Sequence, residues 1–420
     1  SLFDHKGSTR FTYTTLSVFV PRTNVRMESL GRIDCFKFNI NFWKFLGVWP
    51  ETKSCYYAFY SKIFTFAFTF LYVILPTVNL AYIPPVMDIF VEEMMFYFTE
   101  VIGLFKVLTM LLTHEKIVNI LKVLQSDLFH PESSESVEII NKAKIFIVKY
   151  WKFIATVSVT SNLTHVLSPL IVHLLLSVEL QLPLCNYFFL PKNIKDTFIY
   201  PLYLYQCFGI HMQMWYNVNF DSFILGLMIL VIAQLEILDL KLRTITDRCA
   251  KLYIKRKQND TEVLTKLNQA LQHYNELGRF CNLIQDVFSI ALFMQFGIAS
   301  CIICVCLFRF TLPAPWQYYI FLGTYILVMI FQILIPCWFG TRIIEKSQLL
   351  KFSVYSCDWT CQSRIFRSSL KIFSERANRP ITLIAGKMFA LSLGTFTSIM
   401  NSAYSFFTLL RHMQTRDDMD

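Results

Sequence analysis

Seven long apolar stretches alternate with polar connections along this chain of 420 residues. Each has about 20 residues or more, which at about 1.5 Å per residue lets an α-helix cross a hydrocarbon layer about 30 Å thick. The pattern therefore predicts an all-α integral membrane protein with seven transmembrane helices. The predicted spans are residues 56–82, 90–112, 146–176, 201–238, 287–308, 318–339 and 381–410.

Apolar residues keep a helical period beyond the fourth span and again before the fifth. A basic, polar stretch at 255–260 separates the two runs and is predicted to be a loop. A third amphipathic segment, residues 364–376, has Ile365 and Phe366 on its apolar side, and Pro380 is expected to start the final span. The residues of the two runs are Leu235, Leu238, Leu242, Ile245, Cys249 and Leu252, then Leu264, Leu267, Leu271, Tyr274, Leu277, Cys281 and Ile284.

These runs predict two helical stems that project from the membrane and bury their apolar stripes against each other, a third helix or another subunit. The stems and the third helix would form an anchor from residues 238–286 and 339–380.

The last apolar stretch carries polar side chains on one helical face. Steps of three and four residues align Thr395, Ser398, Ser402, Ser405, Leu409 and His412, and Thr397, Asn401 and Thr408 widen the face. The opposite side is apolar and suits lipid or neighbouring helices, with Phe389, Leu393, Phe396, Met400, Phe407 and Leu410. Such hydroxyls either bond back to the helix and assist packing or line a pore, and a pore needs several copies of the helix.

Composition and charge support a membrane location. The chain is 55% hydrophobic, with a mean hydropathy of +0.45. Of its 39 Lys and Arg residues, 29 fall in the segment before the first span and in the second, fourth and sixth connections, whereas 5 fall in the other connections and the C-terminal tail. By the positive-inside rule the N-terminus is cytoplasmic and the C-terminus extracellular. The basic residues behind the net charge of +10 are thus distributed as expected for a protein in a lipid bilayer. No nucleic-acid partner is expected.

No catalytic motif is present, so we expect no enzymatic activity and no cofactor. The membrane histidines His165, His173 and His211 have no acidic residue at a recognisable spacing. Cys357 and Cys361 have a spacing that suits zinc, but no histidine follows at ligand distance, and no metal site is predicted.

Charged residues interrupt the second span. Glu92, Glu93, Glu100 and Lys106 are costly in a membrane unless they are paired or hydrated. At least some of them should therefore face the protein interior or an aqueous cavity.

The chain divides into one membrane domain and two short ends. We expect a cytoplasmic N-terminal segment at 1–55, a heptahelical domain at 56–410 and an extracellular tail at 411–420. Met27 is the first natural start candidate, and residues 1–26 have no signal-peptide pattern, so they are expected to lie upstream of that start.

Two segments carry a resemblance to a known family. The run AGKMFALSLGTFTSIMNSAYSFFTLLR, from Ala385 to Arg411, resembles the C-terminal signature of insect odorant receptors, and NFWKFLGVWP, from Asn41 to Pro50, resembles their pre-membrane segment. Spans and loop lengths match from about Met27 to Met413. The chain is more similar to an odorant-specific subunit than to the coreceptor, since the second cytoplasmic connection lacks a long insertion.

The resemblance implies an odorant-gated, non-selective cation channel in the plasma membrane of olfactory sensory neurons. It implies a tetramer formed with the coreceptor, in which the last helix of each subunit lines the pore and the stems anchor the subunits.

The pore residues implied are Thr395, Ser398, Ser402, Ser405, Leu409, His412 and Met413, with Leu409 and Met413 as the hydrophobic gate and His412 at a polar filter position. The coreceptor pattern has Gln in place of His412 and an apolar residue in place of Arg411. The positive charge of Arg411 disfavours a pore lined by four copies of this chain and favours a mixed tetramer.

The resemblance also implies a pocket for small hydrophobic volatiles in the outer halves of spans two, three, four and six. Aromatic and Met side chains would form an adaptable apolar cavity, and hydroxyls would orient the ligand. The corresponding residues are Met94, Tyr97, Phe98, Thr160, Thr164, His165, Met212, Tyr216, Phe321 and Tyr325.

A seven-helix receptor that signals through G proteins is the alternative function. The charge distribution opposes it, as does the absence of DRY and NPxxY motifs. A transporter or membrane transferase would need broken helices in an internal repeat or a catalytic His-Asn pair, and neither is visible.

Overall fold

The structure, a computed structural model, describes residues 33–49, 55–177, 179–245, 256–313, 316–357, 359–360 and 362–417. The expectations for residues 1–26 and Met27, and for Cys249, Leu252 and Cys361, lie outside this part of the chain. The helices are α1 (Lys37–Phe45), α2 (Cys55–Thr65), α3 (Leu71–Leu80), α4 (Met87–Leu112), α5 (His114–Leu124), α6 (Ser134–Leu176), α7 (Lys192–Thr197), α8 (Ile199–Arg243), α9 (Arg256–Arg309), α10 (Trp316–Tyr355), α11 (Arg364–Ala377) and α12 (Leu393–Asp417).

Six helical segments of the described residues are long and apolar enough to cross a membrane. They agree with the first six predicted spans. In the first, a single π-helical turn, Phe66–Phe70, joins α2 to α3. Several segments exceed the predicted length because the stems continue the same helices. The segments are Cys55–Leu80, Ile89–Leu112, Ser134–Leu175, Ile199–Arg243, Thr261–Arg309 and Tyr318–Tyr355.

The seventh predicted span, residues 381–410, is wrong over its first 12 residues. The final helix begins at Leu393, and Pro380 starts no helix. Residues 381–392 instead contain two short antiparallel strands, β1 (Ile384–Ala385) and β2 (Phe389–Ala390). The hydroxyls of α12 lower its hydropathy, but its 25 residues are about 37 Å long, enough to cross a bilayer. The helix continues to Asp417, so most of the predicted tail is helical.

Local turn chemistry and long-range bonds explain the hairpin. Gly386 and Lys387 both have a positive φ, near +60°, which turns the chain between β1 and β2. A side chain on Gly386 would collide with Phe293 of α9, because its Cβ would lie 2.5 Å from that ring. The Gly386 amide donates to the Ser289 carbonyl at 3.0 Å, and the Ile384 amide donates to Gln285 Oε1 at 3.1 Å. The hairpin is therefore fastened to α9.

Helix α8 is the centre of the molecule. It packs against α6, α9, α10 and α1, and its residues between Val218 and Leu238 are nearly all buried. Helix α6 lies at the periphery and exposes large apolar side chains such as Ile145, Phe153 and Leu174. An apolar face of that kind suits contact with lipid.

The predicted stems are confirmed in the described residues. Leu238 and Leu242 of α8 and Leu267 and Leu277 of α9 are buried, and the polar stretch predicted as a loop is helical from Arg256 onward. Helix α11 is the predicted third helix.

One apolar residue of α11 faces away from the stems. Phe366, Leu370 and Phe373 are buried, with Phe373 edge-on to Tyr274 at 5.2 Å, whereas Ile365 is 65% exposed. Adjacent residues of a helix point about 100° apart, so Ile365 and Phe366 cannot share one face.

The segment before α2 is part of the core. Phe36 and Trp43 are fully buried, and Phe36 fits against α8 at Gly226, where an added Cβ would lie 2.5 Å from the ring. Asn39 Nδ2 donates to the Asn219 carbonyl and to Ser222 Oγ, both at 2.9 Å. The apolar and polar contacts together hold this segment against α8.

An ion pair between a buried lysine and a partly buried aspartate ties α4 to α8. Lys106, 1% exposed, donates to Asp221 at 2.7 Å and to Asn217 Oδ1 at 2.9 Å, and Gln332 of α10 donates to Asp221 Oδ2 at 3.1 Å. Glu93 and Glu100 are also buried, while Glu92 is exposed. The expectation that some charges of this span face the protein interior is confirmed.

Replacement of Lys106 by Met should destabilise the protein by about 3 kcal/mol or more, because it leaves the Asp221 carboxylate without its counter-ion. The double variant Lys106→Met, Asp221→Asn should recover most of the loss. Thermal unfolding of the detergent-solubilised protein, followed by size-exclusion fluorescence, measures both. A single variant as stable as wild type would contradict the structural importance of the pair.

Candidate functional site

Aromatic rings from three membrane helices converge near one end of the bundle. Phe96 of α4 lies 5.5 Å from the ring of His165 of α6 and 6.3 Å from that of Phe321 of α10. His165 stacks on Phe321 at 5.8 Å, with 15° between the ring planes, and Phe321 stacks on Tyr325 at 5.9 Å. We call Phe96, His165, Phe321 and Tyr325 the aromatic cluster.

Polar atoms lie at the edge of the aromatic cluster. The Tyr325 hydroxyl is hydrogen-bonded to the hydroxyl of Thr99 and lies 3.4 Å from the Met95 carbonyl oxygen. The Cys306 thiol of α9 contacts the Met95 sulfur at 3.1 Å. The site therefore combines flat rings and polarizable sulfur with a hydroxyl pair, a composition typical of sites for small, mostly apolar ligands.

The loop between α6 and α7 covers this end of the bundle. His165 Nε2 donates to the Pro183 carbonyl at 2.9 Å, so a ring of the cluster also holds the loop. Gln206 of α8 accepts from the Leu184 amide at 2.9 Å through Oε1 and donates to the Cys185 carbonyl at 2.8 Å through Nε2. The side-chain amide of Gln206 thus forms the two hydrogen bonds that a neighbouring β-strand would otherwise form with this part of the loop.

Glu93 and Asn79 hold the next part of the loop. Glu93 Oε1 accepts from the Asn186 amide at 2.9 Å, Asn79 Oδ1 accepts from the Phe188 amide, and Asn79 Nδ2 donates to Glu93 Oε2 at 3.2 Å. These bonds satisfy amides of the partly buried residues Asn186 and Phe188.

The polar face of α12 is exposed along its length. Ser398, Ser402, Ser405, Leu409 and His412 have no covering segment within the described residues. The opposite face packs inward, with Ala403 fully buried, Phe396 and Met400 against the main core, and Phe407 against a small cluster at Val91, Phe308 and Leu312. An open hollow of about 600 Å³ follows the C-terminal end of the exposed face and is lined in part by Ser405, Leu409 and His412.

The hydroxyls of this face bond to their own helix. Ser398, Ser402 and Ser405 donate to the carbonyls four residues earlier at 3.0, 2.9 and 2.9 Å. The back-bonding expected from the sequence is thus present, while the face itself packs against nothing in the described chain and its role in a pore stays a prediction. With its hydrogen engaged, each hydroxyl presents only acceptor lone pairs outward.

The sequence matches the family model described as "7tm Odorant receptor" over residues 87–404. The chain belongs to the odorant receptor family. The resemblance inferred from the C-terminal signature is thereby confirmed.

Individual relatives differ in how much of the receptor they match. Odorant receptor 2a of Drosophila melanogaster is 28% identical over 212 residues, covering 49% of this chain and 53% of that protein, so the match spans about half of that relative. Odorant receptor Or1 of Anopheles gambiae is 23% identical over 420 residues, covering 94% of this chain and 99% of that protein.

A solved structure shares the receptor's fold. The insect olfactory receptor OR5 from Machilis hrabei, solved in complex with eugenol, superposes with a TM-score of 0.79 over 91% of this chain and 99% of that one, at 14% sequence identity.

Three of the residues expected in the receptor's pocket meet in the aromatic cluster: His165, Phe321 and Tyr325. Others lie elsewhere. Thr160 and Thr164 are exposed on α6 and donate to carbonyls of their own helix at 2.9 and 2.7 Å. These two threonines do not point into the cluster.

The remaining expected pocket residues lie outside the aromatic cluster, in or next to the main core. Met212 is buried in the main core, and the Tyr216 hydroxyl donates to the Leu46 carbonyl at 2.9 Å, which fixes the pre-membrane segment. Met94, Tyr97 and Phe98 are partly buried, with Phe98 packed against the main core and Tyr97 beside it at 6.0 Å.

The sequence interpretation missed Phe96, Thr99 and the Pro183 carbonyl. Phe96 lies three residues after the buried Glu93 and four before the buried Glu100, so these three side chains share one face of α4, and Thr99 lies beside that face, three residues after Phe96. That spacing of charged residues was the signal that could have located the inward face of the helix. Cys361 lies outside the described residues, within which no group of three His, Cys, Asp or Glu side chains could hold a metal.

Replacement of Phe321 by Ala should raise the odorant concentration for half-maximal current by about tenfold or more, because it removes the ring between Phe96, His165 and Tyr325. Replacement of Thr164 by Ala should leave it within about twofold, because that hydroxyl bonds only to its own helix. Concentration–response curves in oocytes that also express the coreceptor, at matched surface expression, measure both. Equal effects of the two changes would exclude the aromatic cluster as the ligand site.

Proposed function

We propose that this chain is an odorant-specific subunit of a ligand-gated, non-selective cation channel in the plasma membrane of olfactory sensory neurons. A small hydrophobic volatile binds at the aromatic cluster, and the subunit assembles with the coreceptor, most simply as a tetramer. The observation that carries the proposal is the polar face of α12, which is exposed along a membrane-length helix. Although its hydroxyls bond back to the helix, the face also carries the exposed polar side chains of Asn401 and His412, which are costly against lipid and favour contact with water or another subunit.

The aromatic cluster suits a volatile ligand. Stacked and edge-on rings offer a large apolar contact, and the hydroxyl pair of Thr99 and Tyr325 supplies a hydrogen-bonding point. The relative from Machilis hrabei was solved with eugenol, a small aromatic phenol, which is a ligand of this chemistry.

Helix α10 connects the ligand site to the pore helix. Its first half carries Phe321 and Tyr325, and its second half meets the start of α12, where Thr341 Oγ1 accepts from the Leu393 amide at 2.9 Å. At Gly340 the contact is so close that an added Cβ would lie 2.1 Å from the Leu391 carbonyl oxygen. A displacement of α10 at the cluster therefore reaches the base of α12.

Pro336 lies inside α10 between these two regions. Proline removes one backbone hydrogen bond and crowds the preceding turn, so a helix bends most readily at such a point. We infer that ligand binding changes the bend at Pro336 and thereby favours a state in which α12 moves outward. The ligand acts only through its differential affinity for the two states.

The C-terminal part of α12 would hold the gate. Leu409 is exposed on the polar face and forms, with Met413, a hydrophobic constriction next to the filter position His412. The Met413 side chain lies outside the described residues. Arg411 is also exposed and brings positive charge to a cation pathway, which supports a mixed tetramer over four copies of this chain.

The anchor would supply much of the contact between subunits. Ile365 and Ile372 of α11 are 65% and 70% exposed and lie two turns apart on one face. Exposed large apolar side chains beside the stems suit burial against a neighbouring subunit. The N-terminus is expected in the cytoplasm and the C-terminus outside. The relatives named above are odorant receptors and give no support to signalling through G proteins.

Cysteine substitutions along α12 test the pore face. Cysteine in place of Ser402 should react with a water-soluble methanethiosulfonate reagent faster when odorant is present, because this face would border the opened pore. Cysteine in place of the adjacent Ala403 is the matched control, since Ala403 is fully buried in the main core and should not react. The readout is the irreversible change of odorant-evoked current in oocytes that also express the coreceptor.

The wild-type receptor, treated with the same reagent, measures the background change of current that comes from modification of its own cysteines. Equal modification of both positions, or silence of the co-expressed wild-type subunits to a broad odorant panel at confirmed surface expression, would contradict the proposed function.

Replacement of Leu409 by Ala should raise the current in the absence of odorant by about threefold or more, because a smaller side chain widens and wets a hydrophobic constriction. Leu410→Ala is the control, since the Leu410 side chain points about 100° away from that of Leu409 and so lies off the polar face. Holding current blocked by a pore blocker, normalised to surface expression, measures the leak. A constitutive current of Leu409→Ala that is no larger than that of Leu410→Ala would contradict a role of Leu409 in the gate.

A further inference from the structure

A carboxyl group without a partner lies next to the aromatic cluster. Glu100 of α4 is 5% exposed, and its Oε2 atom is buried with no hydrogen-bond partner among the described residues. The other buried charges of this helix are satisfied, Glu93 by the covering loop and Lys106 by Asp221. Because a buried carboxyl without a donor is unfavourable, this position calls for a group that the chain itself does not supply.

Glu100 is a direct neighbour of the ligand site. It follows Thr99, whose hydroxyl bonds to Tyr325, and it lies one turn after Phe96, so the two side chains share a face with about 5–6 Å between Cβ atoms. Tyr72 and Tyr325 are in the neighbourhood of its side chain. The ring of Tyr72 packs against α8 at Gly209, and its hydroxyl donates to the Gln206 carbonyl at 2.9 Å.

A second acceptor without a donor lies one turn further along α4. Gln213 Oε1 is buried without a partner in the described residues, although its Nε2 donates to the Phe68 carbonyl at 2.9 Å. This oxygen lies against Gly103, where an added Cβ would be 2.5 Å away. The α4–α8 seam therefore offers two acceptor oxygens, at Glu100 and Gln213, for which the described residues provide no donors.

We propose that the receptor binds volatile amines, with the nitrogen on Glu100 and the hydrocarbon part among the rings of the aromatic cluster. Esters and ketones bring only acceptors, and an alcohol brings one donor, whereas a protonated amine brings several donors and a positive charge. This inference rests on the proposed function and names the ligand class of that site.

The test compares size-matched ligands in oocytes that express the receptor with the coreceptor. The probes are hexylamine against 1-hexanol and 2-phenylethylamine against 2-phenylethanol. In wild type, each amine should reach half-maximal current at a concentration about tenfold or more below that of its alcohol, the difference expected for a charge-assisted hydrogen bond.

The substitution Glu100→Gln keeps the shape of the side chain and removes its charge. It should weaken the amine responses by about tenfold or more and change the alcohol responses by less than about threefold. Glu179→Gln, the same change at an exposed residue of the covering loop, should alter neither. If Glu100→Gln fails to reach the surface, the comparison of amines with their matched alcohols on the wild-type receptor still tests the amine inference.

Two failures are distinguishable. Currents evoked by alcohols or other neutral odorants without a preference for the matched amines, or an unchanged preference in Glu100→Gln, would overturn the amine inference and leave the channel function standing. Silence of the wild-type pair to every odorant would instead count against the proposed function itself.

Discussion

Polar groups inside a bilayer must find their partners within the protein, and the seam between α4 and α8 shows how this constraint organises the receptor. Along the seam, Glu93 and Gln206 hold the covering loop, and further along Lys106 pairs with Asp221. Each of these bonds sets the relative height and rotation of the helices, which apolar packing alone would leave adjustable. The aromatic cluster lies where it does because this seam holds α4 in register with its neighbours.

Local patterns predicted much of this fold. Hydrophobic length located six spans, and helical periodicity located the stems and α11, because each signal is contained in one short segment. The segment 381–392 is equally apolar, yet it forms a hairpin. Its conformation depends on a turn at Gly386 and on partners in α9, about a hundred positions away along the chain. A pattern confined to one segment contains no information about such partners.

The candidate site was less predictable for a related reason. Thr160 was included from its span and depth, because the outer part of α6 is apolar on most sides and does not reveal which way each residue points. In α4 the buried Glu93 and Glu100 mark the face that carries Phe96, but Tyr97 was also selected by span and depth. The pairing of Lys106 with Asp221 resolves the rotation of α4, but it joins residues 115 positions apart. The polar stripe of α12 was predictable because its own hydroxyls mark the face.

The hairpin before α12 has a mechanical consequence. Bonds from β1 and Gly386 to α9, together with the bond from Leu393 to Thr341, tether the base of the helix on two sides. A rigid helix that is tethered at its N-terminal end can tilt about that end but cannot shift along its axis. Over a length of about 37 Å, a swing of about 5° moves the free end by about 3 Å and the base hardly at all. A constriction near the free end, as proposed at Leu409, therefore obtains the largest change in width from the smallest rearrangement at the ligand, and one near the hairpin would barely respond.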